Sequence, residues 1–597
     1  MKKIVFVSLV TTLLLNGCAG SQTDSSVPVA PVSPEPVAET YPAVELVQWS
    51  DFHSSIYEKR LDDGMALGGL PVFMAAVEHL KGSGLSLLLD GGDQFQGAMP
   101  FNDAKGLGMA EVMNALKIDV STLGNHEFDY GPGVKYPDSN RGALKEYLEV
   151  SQFPVVTANV VATADNTDPW PPAQLKPYTL IEKGPYKIAV VGVLATETPI
   201  ATTAANVAGL EFKSPAETLK TVIPEIAAQD PDFLIVNAHI TGLPDPLPED
   251  GATVVDAKFT EEVAEILALP QEILQHIDLI STAHSHKSFI AHQGDLTVIQ
   301  SLSGGQELTT MTLIGDKDGL HIARDSIRKP PLIHKAIDAA CGEARPVLEP
   351  MDVGGMTLTP DVRGLDIIAK YEASMKENRC DVVGCTDVAI ERHYEGECAL
   401  GNLVTDAMRK YYPQADIAMQ NAGGVRANLA AGNIYREDLN AIMPFDNYLH
   451  LTEIPGADIV KILKIASTLK HGAIKVSGLQ YKIEPGCQNP QDINGDGTTE
   501  NWENNCLCEE ILVNGVPLDA TKKYKLAISD FLINGGDSLA GIFNNATILD
   551  KGPVIKKTIL DYVQNMKASN ACLMMSELKK DDNPRIAVGT CGKKFAK

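Results

Sequence analysis

From residue 44 onward, short apolar runs alternate with longer segments whose apolar residues recur at helical spacing. Strands are predicted at Val44–Trp49, 85–89, 118–123, 187–193, 233–236 and Leu279–Thr282, and helices at 69–80 and 259–277. Such alternation is the mark of an α/β fold. Polar residues recur just after the apolar runs: Ser50-Asp51-Phe52-His53, Asp90-Gly91-Gly92-Asp93, Gly124-Asn125-His126, Asn237-Ala238-His239 and His284-Ser285-His286. In α/β sheets ligands bind beyond the carboxyl ends of strands, so these turns predict one site. Asp90 is read as a turn residue outside the site.

A proline- and glycine-rich stretch, 330–365, reads as a connection, and 362–375 as a bridging helix. A second pattern follows, with a helix at 398–412, a strand at 416–420 ending in Asn421-Ala422-Gly423-Gly424-Val425-Arg426, an amphipathic helix at 457–469, and a strand Lys523–Ser529 leading to Phe531-Leu532-Ile533-Asn534-Gly535-Gly536-Asp537. The organisation expected is residues 1–18 as a signal segment, 19–42 as a flexible tether, 43–335 as the first domain, 336–375 as linker and bridging helix, and 376–597 as a second domain with an insertion at 487–508. A chain of 597 residues is too long for one core.

Composition narrows the picture. Hydrophobic content of 44% and charged content of 21% are globular values. The net charge of −27 argues against a nucleic-acid polymer as partner, because such binders cluster Lys and Arg. Lys2 and Lys3 precede an apolar run, 4–15, that is shorter than the ~20 residues of a membrane span. The run ends in Leu15-Asn16-Gly17-Cys18, which resembles a bacterial lipobox. That resemblance implies a lipid on Cys18, a membrane anchor and, with Ala19 next, the outer membrane of a Gram-negative bacterium. Nine further cysteines all lie between Cys341 and Cys591, and an exported chain would pair them in disulfides, with at least one thiol left over. Close spacing points to local staples at Cys380/Cys385 and within Cys487/Cys506/Cys508.

The candidate chemistry is metal ligation. Asp51, His53, Asp93, Asn125, His126, His239, His284 and His286 offer mixed nitrogen and oxygen donors without thiolate, a set that suits Zn, Mn, Co or Mg. Two divalent ions sharing a carboxylate would activate water and clamp phosphate oxygens. Asp51-Phe52-His53, Gly92-Asp93-Gln94-Phe95-Gln96-Gly97, Gly124-Asn125-His126-Glu127-Phe128-Asp129-Tyr130-Gly131 and His284-Ser285-His286 resemble calcineurin-like metallophosphatases, and more narrowly the periplasmic 5′-nucleotidase/UDP-sugar hydrolase family. The resemblance spans residues 44 to about 550 and implies a metallophosphatase β-sandwich flanked by helices, followed by an α/β substrate-binding domain. It implies that Asp51, His53, Asp93 and His286 hold one metal, that Asp93, Asn125, His239 and His284 hold the other, and that His126, oriented by Asp129, contacts a phosphoryl oxygen. The implied activity is removal of phosphate from nucleoside 5′-phosphates, with nucleoside di- and triphosphates as further candidates. The departures are Asn237-Ala238-His239 where the family has Thr-His, and Ala283 where it has Gly.

The second stretch supplies substrate candidates. Phe445 and Phe531 could stack a base between their faces. Arg426 could meet a phosphate and Asp537 a ribose. The resemblance adds Asn447 at the base. It also implies a further Arg near 396, where this chain has Gly396, leaving Arg392 as the nearest candidate. In the insertion, Asp492, Asn494, Asp496, Thr498, Glu500 and Glu503 stand at the spacing of a calcium loop, with Gly497 at the sixth position, which points to a structural Ca²⁺. The rival readings are a UDP-sugar hydrolase or 2′,3′-cyclic-nucleotide phosphodiesterase using the same metals, and a non-catalytic nucleotide-binding surface lipoprotein.

Overall fold

The computed structural model describes residues 41–591 except 62–63, 249–252, 318, 338–347, 376, 485–486, 488–502, 505, 570 and 580–582. The expected signal segment, Cys18 and most of the tether lie outside the described residues, as do Asp492, Asn494, Asp496, Thr498 and Glu500.

The first apolar runs pair as their lengths predict. Val44–Trp49 runs parallel to Leu85–Asp90 in register from Val44 opposite Leu85 to Trp49 opposite Asp90. They lie inside a seven-stranded sheet that also holds Val120–Thr122. A second seven-stranded sheet holds Tyr186–Leu194, Phe233–His239 and Leu279–Thr282. Leu46, Leu87, Leu89 and Val120 from one sheet meet Ile188, Val190, Ile235 and Leu279 from the other in a shared buried cluster. Alternate residues of the same strands face outward. Val47, Trp49 and Leu88 pack with Leu70, Phe73, Met109 and Met113 from helices Leu70–Leu80 and Leu107–Leu116. Val191, Leu234 and Val236 pack with Leu219 and Ile223 from helix Pro215–Ala227. Both sheets are therefore covered on both faces, which is why their strands read as continuous apolar runs rather than alternating ones.

Three stretches differ from expectation. Residues 259–277 form two short helices, Glu261–Leu267 and Gln271–Leu274, after a strand pair at Lys258–Phe259. Pro270 lies between them, lacks an N–H and disfavours the helical region for the residue before it. The connection at 330–365 contains strands Ile333–Lys335, Met351–Val353 and Met356–Leu358, which join Lys59–Arg60 and Met65–Leu67 in a five-stranded sheet. Gly354 (φ 56°) and Gly355 (φ 87°) make the two-residue hairpin turn between the last pair, a backbone that needs glycine. The bridging helix, Val362–Ser374, buries Ile367 and Ile368 in the first core, so it is a fixed part of that layer.

The second pattern folds around a five-stranded sheet in the order Lys475–Ser477, Ile417–Gln420, Lys523–Ser529, Tyr448–Pro455 and Thr547–Val554. Helices Ala399–Tyr411 and Ile555–Ala568 cover one face and Gly456–Ser467 the other, giving two further buried clusters. The structure is thus α/β throughout, and Tyr41–Lys597 forms one compact unit.

Cys385 is joined to Cys572, Cys487 to Cys506 and Cys508 to Cys591. Cys380 is disulfide-bonded too, and Cys398 is the free cysteine among the described residues. The expected staple between Cys380 and Cys385 is therefore corrected. Thr386 bridges Leu573 through the backbone, which sets Cys385 and Cys572 only 4.7 Å apart at Cα. Because that bond ties residues 187 positions apart, replacing both cysteines by Ser should lower stability by about 2–4 kcal/mol, read as a lower denaturant midpoint.

Candidate active site

Asp51 and His53, Asp93, Asn125 and His126, and His284 and His286 follow the carboxyl ends of sandwich strands, Asn237 and His239 close strand Phe233–His239 itself, and all five stretches converge. Asp51, His53, Asp93, His284 and His286 sit at φ values of 51°, 51°, 55°, 74° and 57°. This left-handed backbone costs a non-glycine residue free energy and persists where surrounding contacts enforce it, as at functional sites. The contacts are visible. The Asp51 N–H donates to the Gly92 carbonyl at 2.9 Å, the His53 N–H to the Asp93 carbonyl at 2.9 Å, and the His284 N–H to Asp51 Oδ1 at 3.0 Å.

Asp51, His53, Asp93 and His286 form one group whose ligand atoms lie within 4.8 Å of one another, and Asp93, His239 and His284 form a second. Asn125 joins the second group, its Oδ1 lying 3.2 Å from His239 Nε2 and 2.9 Å from His284 Nδ1. Asp93 belongs to both. The imidazoles are aimed by backbone carbonyls: His53 Nδ1 pairs with the Phe95 carbonyl at 3.1 Å and His239 Nδ1 with that of Gly91 at 2.9 Å, turning each Nε2 inward. His53 Nε2 and His286 Nε2 are 2.9 Å apart. Burial pushes His53 down to about 3 and His286 well below its ordinary value, so both rings favour the neutral form that can ligate a cation. Burial opposes a charge on His239, yet Asp93 and Asp51 raise it to about 10. Burial alone would raise Asp93, but His239, His126 and His53 hold it far below the usual carboxylate range. Buried carboxylates and converging ring nitrogens call for positive charge between them, and this donor set fits divalent cations.

His126 stands apart from both groups. Its Nδ1 is 2.5 Å from Asp129 Oδ2, and Thr202 Oγ1 donates to the other oxygen of Asp129 at 2.6 Å. Its Nε2 faces Asp93 Oδ2 at 4.0 Å. Burial disfavours the imidazolium, but Asp129 and Asp93 outweigh it and raise the pKa of His126 above the ordinary value. The carboxylate therefore fixes the tautomer and supports charge on the ring.

Two further carboxylates serve the site without being marked out by their sequence context. Glu127 is 1% exposed and accepts the backbone N–H groups of Gly124 (2.6 Å), Gln94 (2.7 Å), Asp93 (3.0 Å) and Phe95 (3.3 Å), locking two site loops together. Only its place beside Asn125 and His126 hints at this. Asp90 ends its strand fully buried and accepts from Ser121 Oγ at 2.6 Å, Gln94 Nε2 at 2.7 Å and the Gly92 N–H at 3.2 Å. Burial raises it to about 6. It is a buried support under the site rather than a turn residue.

The second domain faces these groups across a cleft of about 2550 Å³ lined by Asp93, His126, Arg392, Arg426, Phe445, Asn447, Phe531 and Asp537. Phe445 lies on His126, with ring centroids 5.6 Å apart and planes 24° from parallel. The Arg426 guanidinium is 5.8 Å from the Phe445 centroid. Arg392 Nη1 donates to the Val425 carbonyl at 3.0 Å, so it braces the turn that carries Arg426. Asp537 follows the Gly535-Gly536 turn, and burial raises it to about 7. Glu503, separated from the cleft set, is fully buried.

A Cβ on Gly124 would lie 2.1 Å from Asp93 Oδ1, whereas one on Gly396 would meet nothing within 4 Å. Gly124→Ala should therefore weaken divalent-metal binding by about 10–100-fold in chelator competition, with Gly396→Ala as the silent control.

Residues 45–288 match the family model of calcineurin-like phosphoesterases, and residues 375–544 that of the 5′-nucleotidase C-terminal domain. A cell wall protein of Listeria monocytogenes is 26% identical over 606 residues, covering 95% of this chain and 72% of its own. A snake venom 5′-nucleotidase of Crotalus adamanteus is 25% identical over 556 residues, covering 87% and 86%. The crystal structure of a 5′-nucleotidase precursor from Thermus thermophilus shares the fold, with a TM-score of 0.70 at 20% identity over 92% of this chain and 100% of that one. The chain belongs to the family that joins a calcineurin-like phosphoesterase domain to a 5′-nucleotidase C-terminal domain, and it is a metal-dependent phosphoesterase.

Proposed function

We propose that the protein is an extracytoplasmic 5′-nucleotidase that removes phosphate from nucleoside 5′-phosphates at a two-metal site. The observation that carries this reading is the position of His126. It lies between the clustered ligand groups, which would meet a phosphoryl group, and Phe445, which would stack a base. Asp51, His53, Asp93 and His286 would hold one cation, and Asp93, Asn125, His239 and His284 the other. Bound there, divalent cations supply Lewis acidity and a water nucleophile at neutral pH. His126 Nε2 stabilises charge on a phosphoryl oxygen, while Asp129 holds the ring by Nδ1. Arg426 adds a fixed positive charge over the same oxygens, and Arg392 keeps its turn in place. Phe445 and Phe531 hold the base, Asn447 contacts it, and Asp537 accepts from the ribose.

A second reading uses the same metal site to cleave UDP-sugars or 2′,3′-cyclic nucleotides, and nucleoside di- and triphosphates are further candidates for the first. AMP, ATP, UDP-glucose and 2′,3′-cAMP assayed with Mn²⁺, Zn²⁺, Co²⁺ and Mg²⁺ separate these substrates. A metal-loaded protein that binds AMP and releases no phosphate would instead support the non-catalytic nucleotide-binding lipoprotein.

The disulfides Cys385–Cys572, Cys487–Cys506 and Cys508–Cys591 support an oxidising compartment. No helix among the described residues is long and apolar enough to cross a membrane. A lipid on Cys18, at the outer membrane, is the proposed anchor, and Cys18→Ala should release the protein from the membrane fraction. The calcium loop from Asp492 to Glu503 is proposed as a structural site bounded by the Cys487–Cys506 bond.

Replacing His126 by Ala should lower kcat by about 10²–10⁴-fold while both metals stay bound, measured by metal analysis beside steady-state kinetics. Loss of metal in that variant would assign His126 to ligation instead. Phe445→Ala should cost about 1–3 kcal/mol of base stacking, seen as a KM about 5–150-fold higher for AMP with a smaller change for p-nitrophenyl phosphate.

A further inference from the structure

The segment from Thr196 to Thr203 has no part in either ligand group, yet it touches several members of the site. Glu197 Oε1 lies 3.3 Å from His284 Nε2, the nitrogen opposite the Nδ1 that faces Asn125. The Ala201 carbonyl accepts from Asn125 Nδ2 at 3.1 Å, which points Oδ1 of that amide toward His239 and His284. Thr202 holds Asp129, the carboxylate behind His126. One short stretch therefore sets the orientation of two groups of the second cation site and of the dyad beside it.

The same stretch meets the second domain. Glu197 Oε2 lies 3.3 Å from Lys470 Nζ. The short helix Thr198–Ala201 packs on the turn Gly536–Ser538, which carries Asp537. The turn is tied back to Lys470's neighbour through His471 Nε2 and Ser538 Oγ, 2.9 Å apart. Glu197 thus has one oxygen on a ligand of the first domain and the other on a lysine of the second.

We propose that Glu197 is a positioning residue for His284, and that Lys470 makes the aim of His284 depend on how the second domain is seated. Hydrogen bonding of a ligating imidazole through its far nitrogen to a carboxylate fixes ring orientation and raises ligand basicity. His284 needs such a hold, because its backbone sits in the left-handed region at φ 74°. Half-buried, Glu197 contributes its hold in a site partly screened from water. Seating of nucleoside on the second domain and affinity for the second cation are then coupled, and the coupling runs equally in both directions. This inference rests on the two-metal reading above.

The test uses Mn²⁺ binding to the full-length protein by chelator competition, with and without adenosine, a probe that has no phosphate to touch a cation. In the wild type, adenosine should tighten one of the two Mn²⁺ sites about 5-fold or more. Glu197→Ala should weaken that same site about 10–100-fold without changing the other, and Glu197→Gln, which keeps an acceptor for His284, should recover most of the loss. Lys470→Ala should lose the adenosine effect. Unchanged Mn²⁺ affinity in Glu197→Ala, or a full adenosine effect in Lys470→Ala, overturns the proposal while leaving the two-metal reading intact. A wild type that binds fewer than two Mn²⁺ ions overturns both.

Discussion

The carboxylate of Asp93 stands 3.2 Å from His239 Nε2, 3.8 Å from His53 Nε2 and 4.0 Å from His126 Nε2, almost wholly out of water. A buried charge is costly unless it is paired, so the surrounding structure is arranged to answer it. His239 is drawn toward the charged form, and the backbone N–H of His126 donates to the other oxygen of Asp93 at 2.9 Å. A divalent cation on each side gives the same compensation and adds chemistry. Asp93 is the member shared by the two groups, so displacing it disturbs both.

Asp93 and its partners Asp51, His53, His284 and His286 all carry unfavourable left-handed backbone, and that strain is offset elsewhere. Glu127 gathers four backbone N–H groups from the loops of Asp93 and Asn125. The sandwich below supplies the remainder, since each fully buried Leu, Ile or Val side chain between its sheets contributes about 1.5–3 kcal/mol. Helix Val362–Ser374 belongs to this rigid part, with Ile367 and Ile368 in its core. The two ligand-type groups thus rest on packed strands of the sandwich, while Arg426, Phe445, Phe531 and Asp537 on the other side of the cleft come from segments around another sheet.

The cleft between the two is where these parts meet. Phe445 rests on His126, Arg426 faces the ligand cluster, and Asn440 Nδ2 donates to the Gly97 carbonyl at 3.1 Å. Gly97 also lies close under the first-domain site loop, where a Cβ would fall 1.8 Å from the His53 carbonyl. Glu197 extends the contact to Lys470 and returns it to His284. The two sides of the cleft are therefore joined by direct contacts rather than lying in separate compartments.

Much of this is legible along the chain. Strand ends announce themselves by apolar runs that stop at polar residues, and ligand chemistry is local to side-chain type, so Asp51, His53, Asp93, Asn125, His239, His284 and His286 can be named before any geometry. The apolar spacing of 259–277 suggests one helix although Pro270 is visible, because the pattern outweighs a single breaker. The hairpin at Gly354-Gly355 escapes the pattern because its strands are short and their partner, Met65–Leu67, is far away in sequence. Disulfide pairing is illegible for a similar reason: Cys385 finds Cys572 across 187 positions through a backbone bridge that no spacing encodes. Glu127, Asp90 and Glu197 do not stand out because a carboxylate has the same chemistry at the surface as when buried. Their roles depend on which N–H, hydroxyl or imidazole stands 2.6–3.3 Å away, and only the packing of distant segments determines that.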